Sequence, residues 1–253
     1  MRTADREAAE RPVAVSGSLT AALVVAGLEK GWFMIPSSGS VWARAAALRY
    51  GDGVRDGSIA VVPPGAEPGF AFTWWAPPQR FVIPNGEARL NKNLRRLLRN
   101  NNWHSTINQV FGTVLLECRQ DREPRWITDE YVEIAGELHR QGWAYSVELW
   151  DGDELIAGLF GFAIGRIVSV ESLFHRRTDA SKICMVDGAR RSSEAGALLC
   201  DLQRPIEHGR QVGARSVPAD LLYATLGDRA PLILPGDRRP MTWLLCPDPS
   251  AGQ

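Results

Sequence analysis

The sequence predicts an α+β protein, and three observations carry that reading. Amphipathic helical stretches flank a run of strands, the strands succeed one another through short glycine turns as an antiparallel meander, and a further apolar strand returns after a long helix. Composition agrees with that class. Of 253 residues, 45% are hydrophobic and 23% charged, ordinary globular usage that excludes a disordered chain or a coiled coil. A chain of this length should bury roughly three quarters of its unfolded surface, so its core needs neither disulfides nor metal. No apolar run approaches the ~18 residues of a membrane span. Met1 to Arg11 mixes Arg, Asp and Glu without the apolar centre of a signal peptide, which reads as a flexible tail on a cytoplasmic protein. The expected organisation is a tail over 1–14, a small N-terminal domain over 15–85 and a larger domain over 86–253.

Ser18 or Thr20 can cap a first helix whose apolar positions are Leu19, Leu23, Val24 and Leu28 and which ends near Gly31. From Gly51 to Pro84 the density of proline forbids long helices and favours irregular or edge-strand structure. Helical spacing returns over Glu87–Asn102, with Leu90, Leu94, Leu97 and Leu98 on one side and Lys92, Arg96 and Arg99 on another. A further helix spans Asp129–Gln141 and stops at Gly142. Strands are predicted over Ser146–Trp150, Glu154–Ile164 and Ile167–Phe174, turning at Asp151-Gly152-Asp153 and Gly165-Arg166. A helix capped by Thr178 or Asp179 runs to about Gly196, and Ala197–Leu202 reads as a buried strand that rejoins the meander by a helical crossover.

The 29 basic and 29 acidic side chains cancel, yet they are not evenly spread. No acid occurs between Glu87 and Glu117, so Arg89, Lys92, Arg95, Arg96 and Arg99 form an uncompensated patch suited to phosphate. Trp74, Trp75 and Trp126 offer large apolar surfaces, either as core or as platforms for a nucleotide base. Cys118, Cys184, Cys200 and Cys246 are widely separated, which suggests buried free thiols, and His104, His139, His175 and His208 form no metal or triad pattern. Two acids interrupt apolar runs: Glu171 after Ile167-Val168, and Asp201 after Ala197–Cys200. Strand periodicity puts Asp201 and Gln203 on one face, where a carboxylate and an amide beside Glu171 could bind an amine and handle its proton. Neither GxxxxGK nor GxGxxG is present. The segment His175–Asp179 also lacks the glycines that an acetyl-CoA pyrophosphate loop needs.

The ordered set Trp74-Trp75 with Pro77 and Arg80, Trp126-Ile127-Thr128, Gly142–Trp150, Glu154-Leu155 with Gly158 and Gly161, Glu171–Phe174, Ala180-Ser181-Lys182, and Asp201 with Gln203 resembles the leucyl/phenylalanyl-tRNA-protein transferases. The likeness covers about Gly17 to Ala214. It implies a small N-terminal domain and an acetyltransferase-like (GNAT) domain with a mostly antiparallel sheet flanked by helices. The implied activity moves Leu, Phe or Met from aminoacyl-tRNA to the amino group of proteins beginning with Arg or Lys, marking them for degradation, without metal, CoA or other cofactor. By motif, Asp201 and Gln203 sit at the reacting centre, Glu171 holds the acceptor amine, and the basic helix Arg89–Arg99 meets the tRNA acceptor stem. Leu159, Leu173 and Phe174 are candidates for the aminoacyl pocket. Ser18, Tyr145 and Met34-Ile35-Pro36 depart from the family's Asp, His and Pro-Trp-Phe pattern, and Pro205-Ile206-Glu207 differs before His208. These departures keep two alternatives open: a small-molecule amine as acceptor in a biosynthetic pathway, and a non-catalytic tRNA-binding relative.

Overall fold

The structure is a computed structural model that describes residues 11–37, 39–120 and 125–248. Most of the expected tail, residues 1–10, lies outside the described part. The remainder is not a tail: Val13 donates its N–H to the Trp74 carbonyl at 2.7 Å, and Ala14 begins the first strand.

The chain divides into two compact units, 1–79 with 119–138, and 80–118 with 139–253. The division differs from the expected continuous boundary at 85/86 because segment 119–138 groups with the N-terminal residues. In the first unit, β1 (Ala14–Ser16) lies between β3 (Ala60–Val61), to which it is parallel, and β4 (Phe72–Trp75), to which it is antiparallel; β2 (Phe33–Pro36) closes the other edge of β4. Helix α1 (Ala21–Leu28) starts where Thr20 accepts the Leu23 N–H at 3.1 Å, which selects Thr20 over Ser18 as its cap. Helix α2 (Ser40–Arg55) was not legible in the pattern. Of its residues only Gly51 is buried, so it carries no apolar stripe to read. Glu130 ties segment 119–138 to this unit by accepting the Leu19 N–H at 2.9 Å.

The chain continues through β5 (Gln79–Pro84), α3 (Lys92–Arg99), β6 (His104–Ile107), α4 (Phe111–Arg119), α5 (Asp129–Arg140), β7 (Ala144–Asp151), β8 (Glu154–Ile164), β9 (Ile167–Ser169), β10 (Ser172–His175), α6 (Ala180–Glu194), β11 (Leu199–Asp201), α7 (Glu207–Gln211), β12 (Arg215–Pro218), α8 (Ala219–Thr225), β13 (Arg239–Pro240) and a 3-10 turn at Met241–Leu245. Apart from most of α5, these elements build the second unit. Its sheet has the order β12-β5-β11-β9-β8-β7-β6-β13, with β10 also paired to β8. The predicted meander is β7, β8 and β9–β10, and β11 returns parallel to β9 after the crossover helix α6. The α+β class therefore holds. On one face Val147, Leu159, Ile183, Cys184 and Val186 pack α6 onto the strands as part of one apolar core. Gly188 permits the close approach, since a Cβ there would lie 3.1 Å from the Val147 side chain.

The basic helix starts later than its periodicity suggests. Asn91 accepts the Leu94 N–H at 3.0 Å and caps α3, while Arg89, before the helix, donates its N–H to the Val212 carbonyl at 3.0 Å. Cys118, Cys184 and Cys200 are buried free thiols as expected, whereas Cys246 is exposed. Among the described residues no helix is long and apolar enough to cross a membrane.

Candidate active site

The site is made by an interruption in the meander. Strand β8 pairs with β9 in the register Ala163↔Val168 and with β10 in the register Phe160↔Ser172, so the second strand carries one residue more than its partner needs. That β-bulge falls at Val170-Glu171 and splits the single strand predicted over Ile167–Phe174. Gly161 lies opposite, and a Cβ there would come within 1.7 Å of the Ser169 carbonyl oxygen. Strand β11 follows β9 as far as Asp201↔Ser169 and then ends, while β10 continues along β8. The strands part at this point, and the side chains at their ends are left to meet one another.

Asp201 is almost fully enclosed, as is Arg80, and Arg80 donates from Nη2 to its Oδ2. The other oxygen, Oδ1, accepts the backbone N–H of Gln203 at 2.8 Å. Gln203 has φ +64, and Arg204 donates its N–H to the Leu202 carbonyl at 2.7 Å across it. This tight turn uses a left-handed conformation that a non-glycine residue adopts only under constraint. The expected shared strand face for Asp201 and Gln203 is therefore corrected. The strand stops at Asp201, and an aspartate-to-backbone bond brings the amide back to the carboxylate.

Gln203 Nε2 donates to Glu171 Oε1 at 2.7 Å, and the Ser169 hydroxyl donates to the same oxygen at 2.6 Å. Because a carboxylate only accepts, this bond fixes the amide orientation and leaves the Gln203 Oε1 for an incoming N–H. Burial pushes the Glu171 carboxyl above the ordinary glutamate range; the Ser169 and Gln203 bonds oppose the shift, Asp201 adds to it and Arg80 subtracts. Tyr145 donates to the Ser169 carbonyl at 2.9 Å and pins the bulge from the side of β7. Burial holds its phenol well above the usual range, so it stays a neutral donor, and burial pushes the neighbouring Cys200 thiol up to about 12.

The structure thus brings together Glu171, Asp201 and Gln203. Sequence reasoning assigned no role to Arg80, Ser169 or Tyr145 in this arrangement. The signals were present: Arg80 opens the apolar run Phe81–Ile83, and Ser169 interrupts Ile167-Val168 and Val170.

Other expected site residues are not brought together. Leu173 pairs with Leu159, and both pack with the core that faces α6; Phe174 pairs with Gly158, whose Cβ position it approaches within 2.8 Å from the opposite face. Alternate strand residues face opposite ways, so Leu159, Leu173 and Phe174 do not line one pocket. Trp74 and Trp75 are corrected as well. They are 1% and 8% exposed, Trp74 bonds Ser16 Oγ at 3.1 Å and Trp75 bonds Thr73 Oγ1 at 2.9 Å, which makes them core rather than stacking platforms. Trp126 is half-buried and meets Tyr131 edge-on at 5.4 Å. On α3, Lys92, Arg96 and Arg99 are exposed, Arg95 is half-buried with its Nε on the Leu90 carbonyl at 3.2 Å, and Arg89 is exposed just before the helix. Among the described residues no group of His, Cys, Asp and Glu could hold a metal ion.

Residues 82–226 match the family described as Leucyl/phenylalanyl-tRNA protein transferase. A leucyl/phenylalanyl-tRNA--protein transferase of Shewanella sp. (strain W3-18-1) is 38% identical over 147 residues, covering 57% of this chain and 62% of that protein. One from Syntrophobacter fumaroxidans (strain DSM 10017 / MPOB) is 35% identical over 168 residues, covering 65% of this chain and 72% of that protein. The chain thus spans less than two thirds of the first relative's length. A solved GCN5-related N-acetyltransferase-like protein from Streptococcus suis 89/1591 superimposes with a TM-score of 0.32 at 11% identity, over 55% of this chain and 60% of that one. The matched residues exceed half of the chain and contain Glu171, Asp201 and Gln203, and on that match the chain belongs to the leucyl/phenylalanyl-tRNA-protein transferase family.

Proposed function

We propose that the protein transfers an apolar amino acid, Leu, Phe or Met, from aminoacyl-tRNA to the N-terminal amino group of a protein beginning with Arg or Lys, and so marks that protein for degradation in the cytoplasm. The observation that carries the reading is the Glu171–Gln203–Asp201 arrangement, in which the Gln203 side chain donates to Glu171 and its backbone N–H to Asp201, so that two carboxylates and an amide meet at one place.

In the reaction the amine nitrogen attacks the ester carbonyl, the C–N bond forms, the ester C–O bond breaks, and the ribose leaves as a hydroxyl that gains the proton the amine loses. The ester is already activated, so the protein's task is to position an uncharged amine. Glu171 Oε2 and Gln203 Oε1 each accept an N–H of that amine. Asp201, neutralised by Arg80, holds the Gln203 turn in place. The exposed basic residues of α3 contact acceptor-stem phosphates, and Phe174 is the remaining candidate for contact with the transferred side chain. A pocket of that kind separates amino acids differing by one methylene by only ~1–3 kcal/mol.

The test supplies radiolabelled Leu-tRNA and a peptide beginning with Arg. Labelled peptide is expected, and its loss on changing Gln203→Ala while tRNA binding persists. Absence of labelled peptide at saturating donor and acceptor overturns the reading.

A further inference from the structure

A second constellation lies across the sheet from the site just described. Strand β6 is three strands from β9, about 15 Å at ~4.8 Å per strand. There, β13 adds to the edge of β6 with Pro240 opposite His104 and Arg239 opposite Ser105. The added strand belongs to the segment after residue 226, beyond the part of the chain that matches the family. Its two consecutive arginines differ. Arg239 is held by Asp237 at 2.6 Å and Glu194 at 2.8 Å, whereas Arg238 has no carboxylate partner among the described residues and instead meets His104 Nδ1 at 3.4 Å.

Arginine only donates, so that contact makes Nδ1 the acceptor and leaves the ring proton on Nε2. Burial and Arg238 both lower the His104 pKa, while Asp153 raises it, and lowering prevails. The Arg238 side chain makes no other hydrogen bond among the described residues, so its remaining N–H donors and the ring Nε2–H are left for an acceptor from outside the pair. Next to the pair is a cleft of about 310 Å3 lined by Asn101, Asn102, Trp103, His104, Arg238, Pro240 and Thr242, with no acid among them. Trp103, one of the lining residues, has an enclosed indole N–H, a donor only, with no partner among the described residues. The volume exceeds that of a bare oxyanion and sits at the lower end of the ~300–1,000 Å3 usual for small ligands.

We infer that this cleft binds a phosphate ester, with Arg238 and the Nε2–H of His104 on the phosphoryl oxygens and the asparagines and Trp103 beside the esterified group. The ester can be a nucleotide free in solution or a phosphodiester of a nucleic acid. The site is separate from Glu171, Asp201 and Gln203, so the inference stands independently of the transfer reaction.

The test follows the His104 ring resonances of the full chain, assigned with His104→Gln, as pH is varied at constant ionic strength. Adenosine 5′-monophosphate or deacylated tRNA is expected to raise the His104 midpoint saturably, because a bound anion favours the imidazolium. Arg238→Ala, at an exposed position, should raise the midpoint of the free protein and weaken the ligand response about tenfold, as removal of one charged hydrogen bond does. A response to the mononucleotide identifies a free nucleotide as the ligand; a response to tRNA alone identifies a backbone phosphate. If neither ligand moves His104, or if Arg238→Ala responds as strongly as the parent chain, the inference is wrong.

Discussion

At the scale of single residues, Arg80 and Asp201 form the buried ion pair of the site. Both side chains are nearly fully enclosed, so each leaves the other an uncompensated buried charge if removed alone. Arg80→Ala is expected to cost about 3–5 kcal/mol in urea unfolding, and a loss below about 1 kcal/mol would show that the pair is hydrated. Glu171 makes a different prediction. Its native pKa lies above the unfolded value of 4.5, so between the two values the native state binds more protons than the unfolded one. Stability must then fall as pH rises from about 4.5 towards the native value. Measured against Glu171→Gln, the parent chain should lose ground across that interval and hold a constant difference above it; a difference that does not change with pH refutes the assignment. If Glu171 positions the amine as proposed, transfer activity should rise over the same interval, since an ionised carboxylate binds an N–H more strongly than the neutral acid.

Secondary-structure elements show where local pattern is enough and where it is not. The Thr20 cap of α1 was legible because one side chain and one N–H settle it, and Thr20→Ala should cost about 1 kcal/mol in thermal or urea unfolding. The bulge was not legible, because it depends on the register between β8 and two successive partners. Gly161 records that dependence: a Cβ would collide with the Ser169 carbonyl at 1.7 Å. Gly161→Ala should therefore displace the bulge, with Ser169 and Glu171, and cut transfer far more than it lowers stability. Equal activity in that variant would mean that Glu171 does not need its present position. The late start of α3 is set by its cap, since Asn91 accepts the Leu94 N–H and leaves Arg89 before the helix, where its own N–H goes to the Val212 carbonyl.

For the whole molecule, a net charge of zero conceals a separation of charge along the chain. If α3 meets tRNA phosphates, binding should weaken steeply with salt, and replacing Arg96 and Arg99 by Ala should reduce the slope of log K against log salt by roughly 0.7–0.9 for each phosphate no longer neutralised. Fluorescence anisotropy with deacylated tRNA measures it, and an unchanged slope removes those two residues from the interface. Periodicity, turn chemistry and an ordered set of motifs are local along the chain. They were therefore enough to specify the α+β class, the meander and crossover and the basic helix, and to single out three polar residues that the fold brings together. The folded arrangement was needed to make Trp74 and Trp75 core, to turn Leu159 and Leu173 away from Phe174, and to recruit Arg80, Ser169 and Tyr145 to the site. Each of these depends on which strand lies beside which, and in what register, and neither is encoded in the spacing of residues within one strand.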